Sequence, residues 1–126
     1  ATVLIVDDAK VMRVNLRNML EKLGHEVVAE AETGYQGIKM YEEHLPDLVT
    51  MDITMPSDRG IADGIDAVAG IKDFHPAAKV IMVTSHGEQD KVIKAIQKGA
   101  SNYLLKPIQI EKLEEVIDKV MNPPKK

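Results

Sequence analysis

Acidic side chains follow two of the short apolar runs in this chain, at the point where each run ends. Asp7 and Asp8 come directly after the run at residues 3–6, and Asp52 comes directly after the run at residues 48–51. Carboxylates that crowd together repel one another, and this repulsion raises their pKa values unless a cation relieves it. Mg²⁺ suits that task, because it takes oxygen ligands, usually one or two carboxylates with waters and a phosphate. A carboxylate can also act as a nucleophile and form an aspartyl phosphate.

Two further apolar runs end in a hydroxyl group and in a cation. Thr84 follows residues 80–83, and Lys106 follows residues 103–105. Phosphoryl transfer requires that the charge on three equatorial oxygens is stabilised. A bound Mg²⁺, the Lys106 ammonium and the Thr84 hydroxyl would each hold one of those oxygens. The same contacts would work as a switch, because a new phosphate would pull both side chains and their loops towards it.

The elements that must position these side chains can be read from the alternation of apolar runs with amphipathic stretches. Runs that are apolar throughout and rich in β-branched residues are typical of parallel strands covered on both faces. The stretches between them carry apolar residues at helical spacing. The order predicts an α/β fold, a parallel five-stranded sheet with helices on both faces. The predicted strands are residues 3–6, 25–32, 48–51, 80–83 and 103–105, and the predicted helices are residues 11–23, 35–44, 65–74, 89–98 and 110–121.

In an open sheet of this kind, ligands bind outside the carboxyl ends of the strands. The polar residues named above are therefore expected to meet in one cleft. Each has an ordinary structural explanation when taken alone. Asp8 could cap the first helix, and Asp52 could belong to a turn. Thr84 with Ser85 could cap the fourth helix, and Lys106 could be a solvated lysine.

Composition excludes several classes of function. The chain has 126 residues, the size of one domain, and contains no cysteine, which excludes disulfides, thiolate catalysis and cysteine-ligated metals. The net charge is −4 and no basic patch is present, so we expect no direct binding to nucleic acid. No apolar run approaches the roughly 18–20 residues of a membrane span, and no signal peptide is recognisable. A cytoplasmic protein without membrane insertion is therefore expected.

Four segments together resemble the receiver domain of two-component response regulators, most closely the single-domain chemotaxis type. The resemblance covers residues 2–121 and implies a flavodoxin-like (βα)5 three-layer sandwich with sheet order 2-1-3-4-5. It implies a receiver domain over residues 1–122 and a tail or the start of a linker over residues 123–126. The segments are VLIVDD at 3–8, MDITMP at 51–56, VTS at 83–85 and GASNYLLKP at 99–107.

The resemblance assigns Asp52 as the acceptor of a phosphoryl group from the phosphohistidine of a sensor histidine kinase. It assigns the Mg²⁺ site to the side chains of Asp7, Asp8 and Asp52 with the backbone carbonyl of Thr54. The chain would be a phosphorylated signalling switch and not an enzyme, although it would catalyse its own phosphotransfer and slow autodephosphorylation.

The resemblance also assigns the residues that respond to phosphorylation. Lys106 and Thr84 would complete the catalytic set by contacting the acyl phosphate. Thr84 and Tyr103 would form a switch pair, in which Tyr103 turns inward when Thr84 moves. The bond between Lys106 and Pro107 would be cis, since X–Pro bonds are where cis peptides occur.

Signal output is expected on the surface formed by the fourth helix, the fifth strand and the fifth helix. A downstream protein would bind there, with the flagellar motor switch and a phosphatase as candidates. The chain would be a monomer or a phosphorylation-dependent dimer. The candidate contact residues are Lys91, Lys94, Lys98, Tyr103 and Lys112.

The stretch from Ser57 to Asp63 departs from the family pattern by an insertion of about four residues beside the metal site. We expect a neutral surface extension, because loops tolerate insertions at little cost. Reshaped access to Asp52, and a contact from Arg59 to a phosphate, remain alternatives. The segment from Asp63 to Ala67 fits the usual start of the third helix.

Four other functions deserve comparison. A haloacid dehalogenase-type hydrolase would carry a second Asp where this chain has Thr54. A phosphate-free nucleotide binder would need a Gly-rich or hydroxyl-rich loop after the first strand, where this chain has Asp7 and Asp8. A purely structural interaction module would not need the full set of chemical residues. A receiver cut from a multidomain transcriptional or enzymatic regulator is the remaining alternative.

Overall fold

The computed structural model describes residues 1–123 and contains five parallel strands that alternate with five helices. The sheet order is β2-β1-β3-β4-β5, which confirms the predicted fold. The strands are β1 (Thr2–Val6), β2 (Glu26–Ala31), β3 (Leu48–Asp52), β4 (Val80–Thr84) and β5 (Asn102–Leu105). The helices are α1 (Lys10–Lys22), α2 (Gly34–His44), α3 (Gly64–Phe74), α4 (Gln89–Gln97) and α5 (Ile110–Met121).

The central strands are covered on both faces. Every residue of β3 and β4 is buried, whereas the edge strands β2 and β5 are partly exposed. Neighbouring residues of a strand point to opposite faces of the sheet. In β1, Leu4 and Val6 therefore join one core while Val3 and Ile5 join the other. This explains why the central runs are apolar at every position.

Two apolar cores separate the three layers. The core on one face is built with residues of α2, α3 and α4, and the core on the other face is built with residues of α1 and α5. Both cores pack against the sheet, in which the carboxyl ends of β1, β3 and β4 lie side by side at one edge.

The observed boundaries lie within one or two residues of most predicted ones, which is the usual uncertainty of helix ends. The weak second strand is shorter than predicted, because His25 and Glu32 lie outside it. The interpretation of Asp8 as a helix cap is wrong. The N-cap of α1 is Ala9, which has no side-chain cap, and the Ala9 N–H donates to Asp7 Oδ1 at 2.8 Å. Asp8 is thus left free for another role.

The Lys106–Pro107 peptide bond is cis, as the resemblance implies. Among residues 1–123, no helix combines the length and the apolar character needed to cross a membrane. The predicted tail at residues 123–126 lies outside the described residues, except for Pro123.

Candidate functional site

The carboxylates predicted to meet do meet at the carboxyl end of the sheet. Asp7 and Asp8 follow β1, and Asp52 ends β3, which pairs directly with β1. Ligand oxygens of the three carboxylates all lie within 4.8 Å of one another. Asp7 and Asp52 are only 4% and 5% exposed, while Asp8 is exposed. The cluster therefore has a buried floor and one side chain that is open to solvent.

Lys106 joins this cluster from the other half of the sheet. Its Nζ lies 3.4 Å from Asp52 Oδ1 and 3.6 Å from Asp7 Oδ2. The Lys106 N–H donates to the carbonyl oxygen of Thr84 at 2.7 Å, so the loop after β5 is tied to the end of β4. The alternative of a solvated lysine is wrong, because the ammonium lies between two nearly buried carboxylates.

The surroundings of Asp52 in the cluster raise its pKa. Burial, followed by the negative charge of Asp7, raises the pKa of Asp52 from 3.8 to about 6, although Lys106 opposes the rise. One ammonium group thus compensates the crowded carboxylates only in part. A cation bound among them would relieve the remaining repulsion.

The hydroxyl of Thr84 does not face open solvent. Thr84 is 1% exposed, and its Oγ1 donates to Glu88 Oε1 at 3.0 Å. The other oxygen of Glu88 accepts from Thr54 Oγ1 at 2.8 Å, and the Ser85 N–H donates to Oε1 at 2.8 Å. The Ser85 N–H, then the Thr54 and Thr84 hydroxyls and the charge of Lys91, hold the pKa of Glu88 below its usual value, although burial opposes them.

Glu88 is a functional candidate that the motifs did not predict. The spacing of Ser85 and Glu88 is that of a capping box, S-x-x-E, which would have indicated the contact with the Ser85 N–H. It would not have indicated the contact with Thr54, which lies 34 residues away along the chain.

Arg13 is a second residue that the motifs missed. It is buried, and its Nη1 donates to the carbonyl oxygen of Asp7 at 2.8 Å while its Nε donates to Glu30 Oε1 at 3.0 Å. Arg13 therefore fixes the backbone at the end of β1. A signal was present, because Arg13 shares the inward face of α1 with Leu16 and Leu20.

Two further predicted residues, Thr54 and Tyr103, lie on the loop after β3 and on β5. Thr54 follows Asp52 by two residues, and its exposed side chain is turned to Glu88. Tyr103 is 44% exposed and faces away from the core, lining with Thr84 an open groove of about 540 Å³ between α4 and β5. The structure thus holds Tyr103 in its outward position.

The extension at residues 57–63 folds into a small hairpin. Asp58 and Ile61 exchange two backbone hydrogen bonds of 2.9 and 3.0 Å across a turn whose central residues, Arg59 and Gly60, both have positive φ. This is the geometry of a tight two-residue hairpin turn.

The hairpin is attached to the start of α2, because the Thr33 hydroxyl donates to Asp58 Oδ2 at 2.8 Å. The guanidinium of Arg59 lies 4.8 Å from the centre of the Tyr35 ring, also at α2. Arg59 pairs with Asp58 at 3.4 Å.

The start of α3 packs tightly against the end of β3. The Gly64 N–H donates to the carbonyl oxygen of Ile53 at 2.8 Å. A Cβ atom on Gly64 would overlap the backbone carbonyl oxygen of Asp52. Glycine is therefore required here by space, and the helix supports the backbone of Asp52 directly.

The family model for the response regulator receiver domain matches residues 3–118. The chain belongs to this family. The CheY chemotaxis protein of Bacillus subtilis is 49% identical over 120 residues, which cover 95% of this chain and 97% of that protein. CheY of Thermotoga maritima is 44% identical over 118 residues, covering 94% of this chain and 95% of that protein. The receiver domain is thus of the CheY type.

Solved receiver structures have the same fold. The receiver domain of NtrX from Brucella abortus superposes with a TM-score of 0.88 at 28% identity, covering 97% of this chain and 99% of that one. Borrelia burgdorferi CheY, in a complex with CheX, BeF3 and Mg²⁺, superposes with a TM-score of 0.87 at 31% identity, covering 94% of this chain and 87% of that one.

The acidic cluster of this receiver domain is chemically suited to a metal ion. It offers oxygen donors from Asp7, Asp8 and Asp52, with ligand atoms close enough to share one cation. Hard divalent cations prefer such oxygen donors. Burial, followed by the charge of Asp7, raises the pKa of Asp52, and a cation would relieve the part that comes from charge repulsion.

Proposed function

We propose that this receiver domain accepts a phosphoryl group on Asp52 from the phosphohistidine of a sensor histidine kinase. Mg²⁺ would be held by Asp7, Asp8 and Asp52 together with the backbone carbonyl of Thr54. The observation that carries this proposal is the position of Asp52, whose Oδ1 lies 3.4 Å from Lys106 Nζ inside a cluster of three carboxylates.

The chemistry is a transfer between two covalent bonds to phosphorus. An oxygen of the Asp52 carboxylate attacks the phosphorus, the P–N bond of the phosphohistidine breaks, and the leaving imidazole keeps the electron pair. Bound Mg²⁺ would supply positive charge for the carboxylates and the phosphoryl oxygens. Lys106, already next to Asp52, neutralises charge on the phosphoryl group. The Thr84 hydroxyl donates to another phosphoryl oxygen once it leaves Glu88.

We propose that a downstream protein recognises the phosphorylated state at the groove between α4 and β5. Thr84 lies at one wall of this groove and Tyr103 at another, so a movement of Thr84 reaches the surface directly. Ile93, Ile96 and Leu105 expose 57%, 43% and 44% of their surface there, as a docking protein would require. The likeness to CheY chemotaxis proteins supports a role in chemotaxis signalling. We further propose that the chain acts in the cytoplasm, as a switch and not as an enzyme with a turned-over substrate.

The proposal is tested by incubation with acetyl phosphate, with and without Mg²⁺, followed by intact mass measurement. We expect the mass of one phosphoryl group to be added only when Mg²⁺ is present, and Asp52→Asn, the matched control, to gain nothing. Absence of a gain in the wild type would favour a structural interaction module. A gain in Asp52→Asn would place the acceptor elsewhere.

The metal site gives a separate prediction. Mg²⁺ binds only the folded cluster, so it should raise the stability of the wild type by about 3 kcal/mol at a hundred times its dissociation constant. Asp8→Asn, which keeps the size of an exposed side chain and removes its charge, should raise the Mg²⁺ concentration at half effect by at least about tenfold. Thermal unfolding against Mg²⁺ concentration measures both effects. Asp90→Asn is the control for net charge, and an equal shift in both variants would contradict the assignment.

A further inference from the structure

One carboxylate, outside the set of residues assigned so far, connects two loops of the site. Glu88 accepts from the Thr54 hydroxyl after β3, from the Thr84 hydroxyl at the end of β4, and from the Ser85 N–H. Its side chain is only 17% exposed, and Lys91 Nζ lies 3.6 Å from Oε2. No other charged side chain in residues 1–123 accepts from both threonine hydroxyls.

The contact with Thr84 competes with the proposed chemistry. A threonine hydroxyl has one proton to donate, so it cannot donate fully to Glu88 and to a phosphoryl oxygen at once. Its weaker second contact is with the Ser85 carbonyl oxygen at 3.3 Å. Hydrogen bonds to an ionised carboxylate are roughly twice as strong as neutral ones. The free-energy cost of breaking the bond between Thr84 and Glu88 therefore opposes the movement of Thr84 towards Asp52.

We propose that Glu88 is a positioning residue that holds Thr84 and Thr54 in the unphosphorylated arrangement, so that phosphorylation must exchange the Thr84 hydroxyl from Glu88 to the phosphoryl group. This inference rests on the proposed function. Because Glu88 holds Thr84, the unphosphorylated protein should resist spontaneous switching to the phosphorylated arrangement. The contact with Thr54 extends the hold to the loop that follows Asp52.

A purely local role for Glu88 must be distinguished from this one. Ser85 and Glu88 have capping-box spacing, and the contact with the Ser85 N–H satisfies a donor before α4. Glutamine also serves in a capping box. The N-cap of α4 is Glu88 itself, without a side-chain cap, so what has to be preserved is the acceptor for the Ser85 N–H. Glu88→Gln keeps an oxygen that can accept from that N–H while it removes the charge that strengthens the bond from Thr84.

The experiment measures the dissociation constant of beryllofluoride, a phosphoryl mimic, by NMR titration in saturating Mg²⁺. We expect Glu88→Gln to lower this constant roughly tenfold, since the bond that must be broken becomes a neutral one. Asp90→Asn, which removes a charge from an exposed residue in the first turn of α4, should change it less than twofold. An unchanged constant in Glu88→Gln, an increase, or an equal decrease in both variants would overturn the proposal.

A second measurement needs neither Mg²⁺ nor beryllofluoride. Three-bond couplings should report one χ1 rotamer for Thr84 in the wild type and rotamer averaging in Glu88→Ala. A single unchanged rotamer in Glu88→Ala would overturn the positioning role even if beryllofluoride binds normally. Failure of the wild type to bind beryllofluoride would instead count against the proposed function, while the rotamer measurement still decides the role of Glu88.

Discussion

At neutral pH and without divalent metal, Asp52→Asn is expected to be more stable than the wild type, although it removes the proposed phosphoacceptor. Asp52 is 5% exposed and sits beside Asp7, and these two features raise its pKa to about 6. One pKa unit corresponds to about 1.4 kcal/mol, so the ionised side chain destabilises the fold by up to about 3 kcal/mol. Asparagine keeps the shape and removes the charge, so a gain of about 1–3 kcal/mol is expected.

The gain should depend on pH in a defined direction. Below pH 3.8 the carboxyl group is protonated in both the folded and the unfolded state, and it contributes no difference. Between pH 3.8 and about 6 the folded state binds the additional proton, so the stability of the wild type falls as the pH rises. Above that window the penalty is complete. The advantage of Asp52→Asn should therefore grow through this window and then level off.

Urea denaturation in EDTA from pH 4 to pH 8 measures this dependence. Asp73→Asn, a change at an exposed residue of α3, is the control for the loss of one negative charge. Saturating Mg²⁺ should remove most of the difference in stability between the wild type and Asp52→Asn. Mg²⁺ relieves the repulsion between Asp7 and Asp52 in the wild type, and the variant lacks that repulsion. A destabilised Asp52→Asn at neutral pH would mean that the Asp52–Lys106 ion pair outweighs burial and the repulsion from Asp7.

Gly64→Ala is expected to destabilise the protein strongly and to slow phosphoryl uptake. The new methyl group would overlap the carbonyl oxygen of Asp52, which belongs to backbone at the centre of the sheet and cannot move aside as a side chain can. Overpacking of a tight core costs about 1–3 kcal/mol and at times more, and we expect the upper end of that range. The displacement acts on the acceptor residue itself, so uptake should fall even where the variant remains folded.

Gly70→Ala is the matched control within the same helix. Its added Cβ would meet the end of the Ile38 side chain, which can change rotamer, and alanine favours helix more than glycine does. We expect a change of stability below about 1 kcal/mol and normal uptake. Urea denaturation gives the first result and intact mass after acetyl phosphate treatment gives the second. Equal behaviour of the two variants would show that contact with Asp52 is not what requires glycine at position 64.

The strands and helices could be predicted because their signals are local. Strands β3 and β4 have every residue buried, and a strand covered on both faces must be apolar throughout, which the runs before Asp52 and Thr84 display. The alternation of such runs with helices leaves a parallel sheet as the natural arrangement, and in a parallel sheet the residues after the strands meet at one edge. The order of elements therefore predicted that Asp7, Asp8, Asp52, Thr84 and Lys106 lie at the same edge of the sheet, although the Thr84 hydroxyl bonds Glu88 there.

The contacts that adjust the site could not be predicted in this way. The placement of Lys106 between Asp7 and Asp52 depends on which strands are neighbours and on the backbone bond from Lys106 to Thr84. The orientation of Asp8 away from the helix cap was decided by the turn that Asp7 makes with Ala9. These side-chain contacts depend on packing and on hydrogen-bond competition in three dimensions. Neither produces a repeating pattern in the sequence.

By itself the sequence determined the α/β fold, the edge of the sheet at which chemistry occurs and the residue types gathered there, because burial and the order of elements along the chain are local signals. The strand order 2-1-3-4-5 came from the resemblance to receiver domains. The tertiary structure alone decided the pairing of Glu88 with Thr54 and Thr84, the anchoring of Asp7 by Arg13, and the space that requires Gly64. These contacts join residues from different elements, and they depend on distances of a few ångströms that only the packed chain sets.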